Sequence, residues 1–196
     1  MRGELRASLL AALPVLAGAQ TASAQGVVSE LRGGVLYHDI GVLGEQKEHG
    51  VDINGELLFV SPVPQELVAG IDPHFRWLLT PRPNIGFDAN TAGYTSQLYF
   101  GLTWTANLFY GVLRPQDHIS FGIGFGPAFN NGQISSNSGN HLSLGSHVLF
   151  HPSLEVAYWF TPRYSASIYY EHSSNAGLAQ HNDGLNNLGI RFGIGF

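Results

Sequence analysis

The chain has 196 residues and no cysteine, so it carries neither a disulfide framework nor thiol chemistry. Its 14 Asp plus Glu against 9 Lys plus Arg give a net charge of −5, which argues against nucleic-acid binding through clustered basic residues. With 25 glycines and only 12% charged residues, and with no later apolar run of about 18 residues, it is neither a disordered segment nor a helical membrane protein.

The first element is a leader. Basic Arg2 and Arg6 precede an apolar run from Leu9 to Ala19 and then Ala22-Ser23-Ala24, the pattern of a secretory signal cleaved before Gln25. The run is short of the ~20 residues that a spanning helix needs. Residues 1–24 are therefore expected to be removed, leaving 25–196 as one domain.

Eight segments follow in which apolar residues keep one parity and small or polar residues the other. The first three, about 27–40, 51–61 and 83–90, show it weakly. The fourth sets Leu98, Phe100, Leu102 and Trp104 against Gln97, Tyr99, Gly101 and Thr103. The fifth sets Ile119, Phe121, Ile123 and Phe125 against Ser120, Gly122, Gly124 and Gly126. Segments at about 153–160 and 163–174 come next, and the last alternates Leu188, Ile190, Phe192, Ile194 and Phe196 with Asn187, Gly189, Arg191, Gly193 and Gly195. A period of two is the signature of a strand with one apolar face. Turn-type sequences at 44–50, 91–93, 113–117, 130–145 and 161–163 separate the segments. The connection from Ser61 to Pro83 is too long for a hairpin and is expected to hold a short helix or a strand extension.

The polar parity carries Glu30, Arg32, Glu56, Asp88, Glu155, Glu171 and Arg191. Alternation alone also fits a soluble sandwich. The nearly unbroken Leu, Ile, Val, Phe, Tyr and Trp of the other parity, ending at Phe196, favours an all-β, eight-stranded antiparallel transmembrane β-barrel in a bacterial outer membrane, its lumen filled by side chains and paired charges. An even strand count puts both termini on the periplasmic side, so the seventh strand runs outward. Its apolar parity, Tyr164, Ala166, Ile168 and Tyr170, continues to His172 and Ser174, which therefore face lipid, while Ser173 points inward. On one face of a strand, residues i and i+2 stand ~6.5–7 Å apart, within reach of an imidazole-to-hydroxyl hydrogen bond once the side chains lean together. Pairing Arg163 with Gly195 matches Tyr164 with Ile194, Ala166 with Phe192, Ile168 with Ile190 and Tyr170 with Leu188; the next pair is His172 with Asn186. An Asn there could fix the imidazole tautomer, leaving the other ring nitrogen for the serine proton. By itself, the pair is also what an interfacial strand end would show.

The run His172-Ser173-Ser174-Asn175-Ala176-Gly177-Leu178, followed by Asn182-Asp183-Gly184 and a final strand, resembles the C-terminal motif of the outer-membrane lipid A 3-O-deacylase (PagL-type) family. Weaker likeness at Arg82-Pro83-Asn84-Ile85-Gly86 and Gly101-Leu102-Thr103-Trp104 extends it over the mature chain. The resemblance implies an eight-stranded barrel with a Ser-His-acid site on its lipid-facing wall, hydrolysing the ester at the 3-position of lipid A, with lipopolysaccharide as partner and no cofactor or metal. Ser174 would be nucleophile and His172 general base. Asn182 and the backbone from Asn175 to Gly177 would shape the site or stabilise an oxyanion. The family's acid position falls on Asn186, an amide, with Asp183 as the fallback acid. That departure keeps open a weakly active or non-catalytic barrel, and an esterase of another lipid is a third reading; a homo-oligomer is compatible with all three. His141, His147 and His151 approach one another in sequence, but their spacing matches no strong ligand pattern and no accompanying carboxylate is evident.

Overall fold

The computed structural model describes residues 26–42 and 46–196; the expected leader lies outside the described residues. Eight strands, β1 (Val28–Tyr37), β2 (Val51–Phe59), β3 (Arg82–Asn90), β4 (Gln97–Leu108), β5 (His118–Asn130), β6 (Val148–Trp159), β7 (Tyr164–Ser173) and β8 (Leu185–Gly195), form one closed antiparallel barrel. Each pairs with its neighbour in sequence, and β8 returns to β1. The architecture is the expected one.

The partition of side chains is that of a wall in hydrocarbon. Ile53, Phe87, Phe100, Phe125, Val156, Ile190 and Phe192 are exposed, whereas Glu30, Arg32, Asn54, Glu56, Asp88, Gln97, Glu155, Glu171 and Arg191 are buried. A soluble sheet would reverse this, and a closed sheet satisfies its main-chain polar groups where no water can.

Buried charges are tolerable only when paired. Inside the lumen Arg191 bridges Glu56 at 3.0 Å and Glu155 at 2.7 Å, with its guanidinium 3.4 Å above the Tyr169 ring. Arg32 contacts Glu30 at 2.8 Å and also Glu56 and Glu155, and Arg82 contacts Glu30 at 2.8 Å. Three guanidiniums thus meet three carboxylates. Around the next layer, amides from Asn54, Gln97 and Asn187 donate to Asp88, Asp52 and Glu171.

The Ser61-to-Pro83 connection contains α1 (Gln65–Val68), a 3-10 turn at Pro73–Phe75 and α2 (Arg76–Leu79). Trp104 donates its indole N–H to the Leu78 carbonyl at 3.1 Å, which lays α2 against the outside of β4 with Phe75, Leu78 and Leu79 exposed. Arg76 bonds the carbonyls of Ala69 and Ile71, so this irregular backbone brings its own donors.

Three strands run past their expected limits. β4 continues to Leu108, β5 to Asn130, and β6 begins at Val148 rather than near 153. Pro127 and Pro152 obscured the last two, since proline lacks a ladder donor. Pro127 falls where the β4–β5 register skips from Ala128 to Phe125, and Pro152 just before the β6–β7 ladder begins at Ser153.

Replacing Arg191 by Met should leave Glu56 and Glu155 sharing the Arg32 guanidinium and destabilise the barrel by about 3–5 kcal/mol. Urea unfolding in lipid vesicles checks this; an unchanged midpoint would show that the Arg191 ion pairs contribute little.

Candidate active site

β7 and β8 pair with Tyr164 opposite Ile194, Ile168 opposite Ile190, Tyr170 opposite Leu188 and His172 opposite Asn186. Ser165, Ser167, Tyr169, Glu171 and Ser173 are buried toward the lumen, and His172 and Ser174 sit half-buried on the other parity. Asn186 Oδ1 lies 2.8 Å from His172 Nδ1 and accepts a hydrogen bond from Tyr170 Oη at 2.8 Å. A neutral ring that donates from Nδ1 keeps a lone pair on Nε2, the form that a general base requires.

Ser174 follows β7 directly and is anchored to Phe150 of β6 by main-chain bonds in both directions, 2.8 and 3.1 Å. Continuing that register sets Pro152 opposite His172, and proline has no N–H to offer there. Among the described residues no hydrogen bond joins the Ser174 hydroxyl to His172. As residues i and i+2 on one face they stand ~6.5–7 Å apart along the strand, and catalytic hydrogen bonds commonly tighten only with substrate bound.

The turn after Ser174 supplies donors. Ala176 and Gly177 are both left-handed, at φ 54° and 77°, and their exposed amides have no acceptor among the described residues. Asn175 is committed instead: its Nδ2 donates to Leu144 O and His181 O at 2.8 and 2.6 Å, and its main-chain N–H to Asn182 Oδ1 at 2.9 Å. Asn175 and Asn182 thus shape the turn. Gly184, at φ 72°, packs against the imidazole; a Cβ there would stand 3.0 Å from His172 Cε1.

Asp183 accepts from Lys47 Nζ at 2.9 Å and Ser143 N at 2.7 Å, and has no bond to His172 among the described residues. Partial burial opposes its ionisation, but Lys47 and the Ser143 N–H hold its carboxyl below the usual range. It fastens loops.

A second fastening lies beyond β1. His38 bonds Asp52 through Nδ1 at 2.8 Å and Glu48 through Nε2 at 3.1 Å, while Glu48 also accepts from Thr95 N and Leu142 N at 3.0 and 3.2 Å. With the small apolar cluster of Leu142, Leu144, Leu149 and Leu185 beneath it, this ties the first three loops of that rim to the base of β8. Burial disfavours charge on both partners, yet their hydrogen bonds and mutual attraction raise His38 to about 9 and lower Glu48 to about 2.

The three histidines do not assemble. His147 is exposed, His141 packs beside Tyr94 at 3.7 Å from Glu48, and His151 faces the lumen with Nε2 3.0 Å from Glu171. His151 therefore does have a carboxylate neighbour, brought by β7 from 20 residues away. Ligand atoms of Asp88, His151 and Glu171 lie within 4.8 Å of one another, but both carboxylates are already served by side-chain amides. A cavity of about 760 Å³ opens at the opposite end of the barrel, among Glu30, Arg82, His118, Trp159 and Arg163.

The model of the lipid A 3-O-deacylase (PagL) family matches residues 66–195. The chain belongs to this family. Among solved structures, the outer membrane enzyme PagL aligns with a TM-score of 0.63 at 16% identity, covering 86% of this chain and all of that one. Neisserial surface protein A aligns with a TM-score of 0.48 at 8% identity, covering 85% of this chain and 96% of that one. No curated protein matches the sequence. As a PagL-family barrel with an apolar wall, the protein resides in the outer membrane.

The loop fastening has a pH window. The His38 contribution is complete below its unfolded pKa near 6.5 and fades as pH rises through about 9; the Glu48 contribution is complete above about 4.5 and fades as pH falls through about 2. Hydrogen exchange at the Thr95 and Leu142 amides, corrected for intrinsic rates, should therefore be slowest between about pH 4.5 and 6.5. Protection that persists unchanged above pH 10 would contradict it.

Proposed function

We propose that the protein is a serine ester hydrolase that removes the 3-O-linked acyl chain of lipid A at the outer leaflet. The observation that carries this reading is the His172–Asn186 contact on the outer wall, two residues from Ser174, in a chain of the lipid A 3-O-deacylase family.

Ser174 Oγ attacks the ester carbonyl carbon while His172 Nε2 takes its proton. The oxyanion that forms is stabilised by the unpaired amides of Ala176 and Gly177. Collapse expels the sugar oxygen, which takes the proton back from His172, and leaves the acyl group on Ser174. Water, activated by the same nitrogen, then releases the fatty acid and restores the serine. Asn186 orients the imidazole but offers no charge to balance the imidazolium, so turnover is expected to be slower than with a carboxylate at this position.

A wall-mounted site suits the substrate. Each buried methylene holds a lipid in the leaflet by ~0.8 kcal/mol, so extracting lipid A is costly and meeting it in place is not. The rim position of Ser174 also gives water access to the acyl-enzyme, which the bilayer centre would deny.

The amide at 186 favours one alternative, a barrel with a structural or surface-interaction role. Mass spectrometry of lipid A from cells making the protein decides between them. The expected result is loss of one ester-linked acyl chain, lowered by roughly 1,000-fold or more in rate by Ser174→Ala or His172→Ala. Unchanged lipid A despite a folded barrel would support the non-catalytic role. Cleavage of phospholipid but not lipid A by purified protein would identify an esterase of another lipid.

A further inference from the structure

Asn186 has an orientation problem that a carboxylate would not have. Its side chain is fully buried, its Oδ1 faces both His172 Nδ1 and Tyr170 Oη, and its Nδ2 has no hydrogen-bond partner among the described residues. Leaving a buried amide N–H group unpaired costs its desolvation with no hydrogen bond in return. Turning the amide over would present Nδ2 to both neighbours and leave the carbonyl, and the Tyr170 O–H that it now accepts, without partners. Nδ2 would then donate to His172 Nδ1, so the neutral ring would carry its proton on Nε2, where it could not receive one from Ser174.

His172 cannot prevent this, because Nδ1 bonds equally well as donor or acceptor. Tyr170 can. A phenol is a better donor than acceptor, and the Tyr170 hydroxyl has Asn186 Oδ1 as its hydrogen-bond partner. Its cross-strand neighbours on the wall are Leu154 and Leu188, which are apolar, so without Asn186 the hydroxyl would be unsatisfied against lipid. Tyr170 and His172 are two residues apart on one strand, so both reach across to the same amide.

We propose that Tyr170 is a positioning residue. Its hydroxyl keeps the Asn186 oxygen turned toward His172 and so maintains the imidazole tautomer that can accept the Ser174 proton. This inference rests on the esterase reading above. It also explains how an amide can occupy an acid position: the tyrosine supplies the directionality that a carboxylate, with two equivalent acceptors, has without help.

The test is a double-mutant cycle with Tyr170→Phe and Asn186→Asp, read by lipid A deacylation and by the ¹⁵N shifts of His172. In the Asn186 protein, Tyr170→Phe should lower kcat about tenfold with KM nearly unchanged, the effect of losing one hydrogen bond, and move the ring proton from Nδ1 toward Nε2. In the Asn186→Asp background the same change should cost less than about twofold. Equal losses in both backgrounds would mean that Tyr170 merely supports the wall, and no loss in either would remove it from the site; each overturns the proposal. If the parent protein leaves lipid A intact, the esterase reading fails instead, and the ¹⁵N tautomer still decides whether Tyr170 positions Asn186.

Discussion

A chain that crosses hydrocarbon as strands must bond every main-chain N–H and C=O to another strand, since no water is available to do so. Closure of β8 onto β1 meets that constraint, and much else in the molecule follows from it. A closed sheet gives each residue only two choices, wall or lumen. In a barrel of eight strands the lumen is narrow enough for side chains to fill, so inward charges must find one another. Glu30, Arg32, Glu56, Arg82, Glu155 and Arg191 do so as a mutually neutral set. The apolar wall and the charged interior are thus two consequences of one constraint.

The candidate site occupies the place where that constraint relaxes. At the end of β7 the ladder to β6 is interrupted beside Pro152 and resumes as a single bridge at Ser174. Polar side chains can remain on the lipid-facing parity there because the interface is near, and the turn beyond leaves the Ala176 and Gly177 amides without an acceptor among the described residues. The same rim is stiffened from inside. Glu48 reaches two other loops, Asp183 joins Lys47 to Ser143, and Asn175 bonds the backbone of both Leu144 and His181. A lipid substrate approaches sideways along the wall, so loops that close over the lumen do not obstruct it.

Much of this is legible in the sequence. The pairing of apolar with apolar across the last hairpin identified the β7–β8 register, because a slip of one residue would turn every side chain to the wrong face. That register brought His172 to Asn186. Other features were hidden for identifiable reasons. Pro127 and Pro152 look like strand breakers until the gaps in the neighbouring ladders that accommodate them are seen. The grouping of His141, His147 and His151 relied on proximity in sequence, whereas alternation and loop geometry send them to three different surroundings. Asp183 looked available as an acid because Lys47, its partner, lies 136 residues away. Gly184 stands in the motif with nothing to mark its closeness to the imidazole, which only the fold brings about.

The sequence by itself determined the barrel, the parity of each major strand and the neighbours of His172, because a period of two and a hydrocarbon exterior admit few other solutions. Tertiary structure alone decided which polar atoms are already in use. Tyr170 satisfies the apolar parity of its strand and gives no sign that its hydroxyl holds Asn186; Asn175 looks like a donor until its donors are found occupied. Alternation assigns a side chain to a face, but hydrogen bonds depend on distance and direction across strands far apart in sequence, and only the closed barrel sets those.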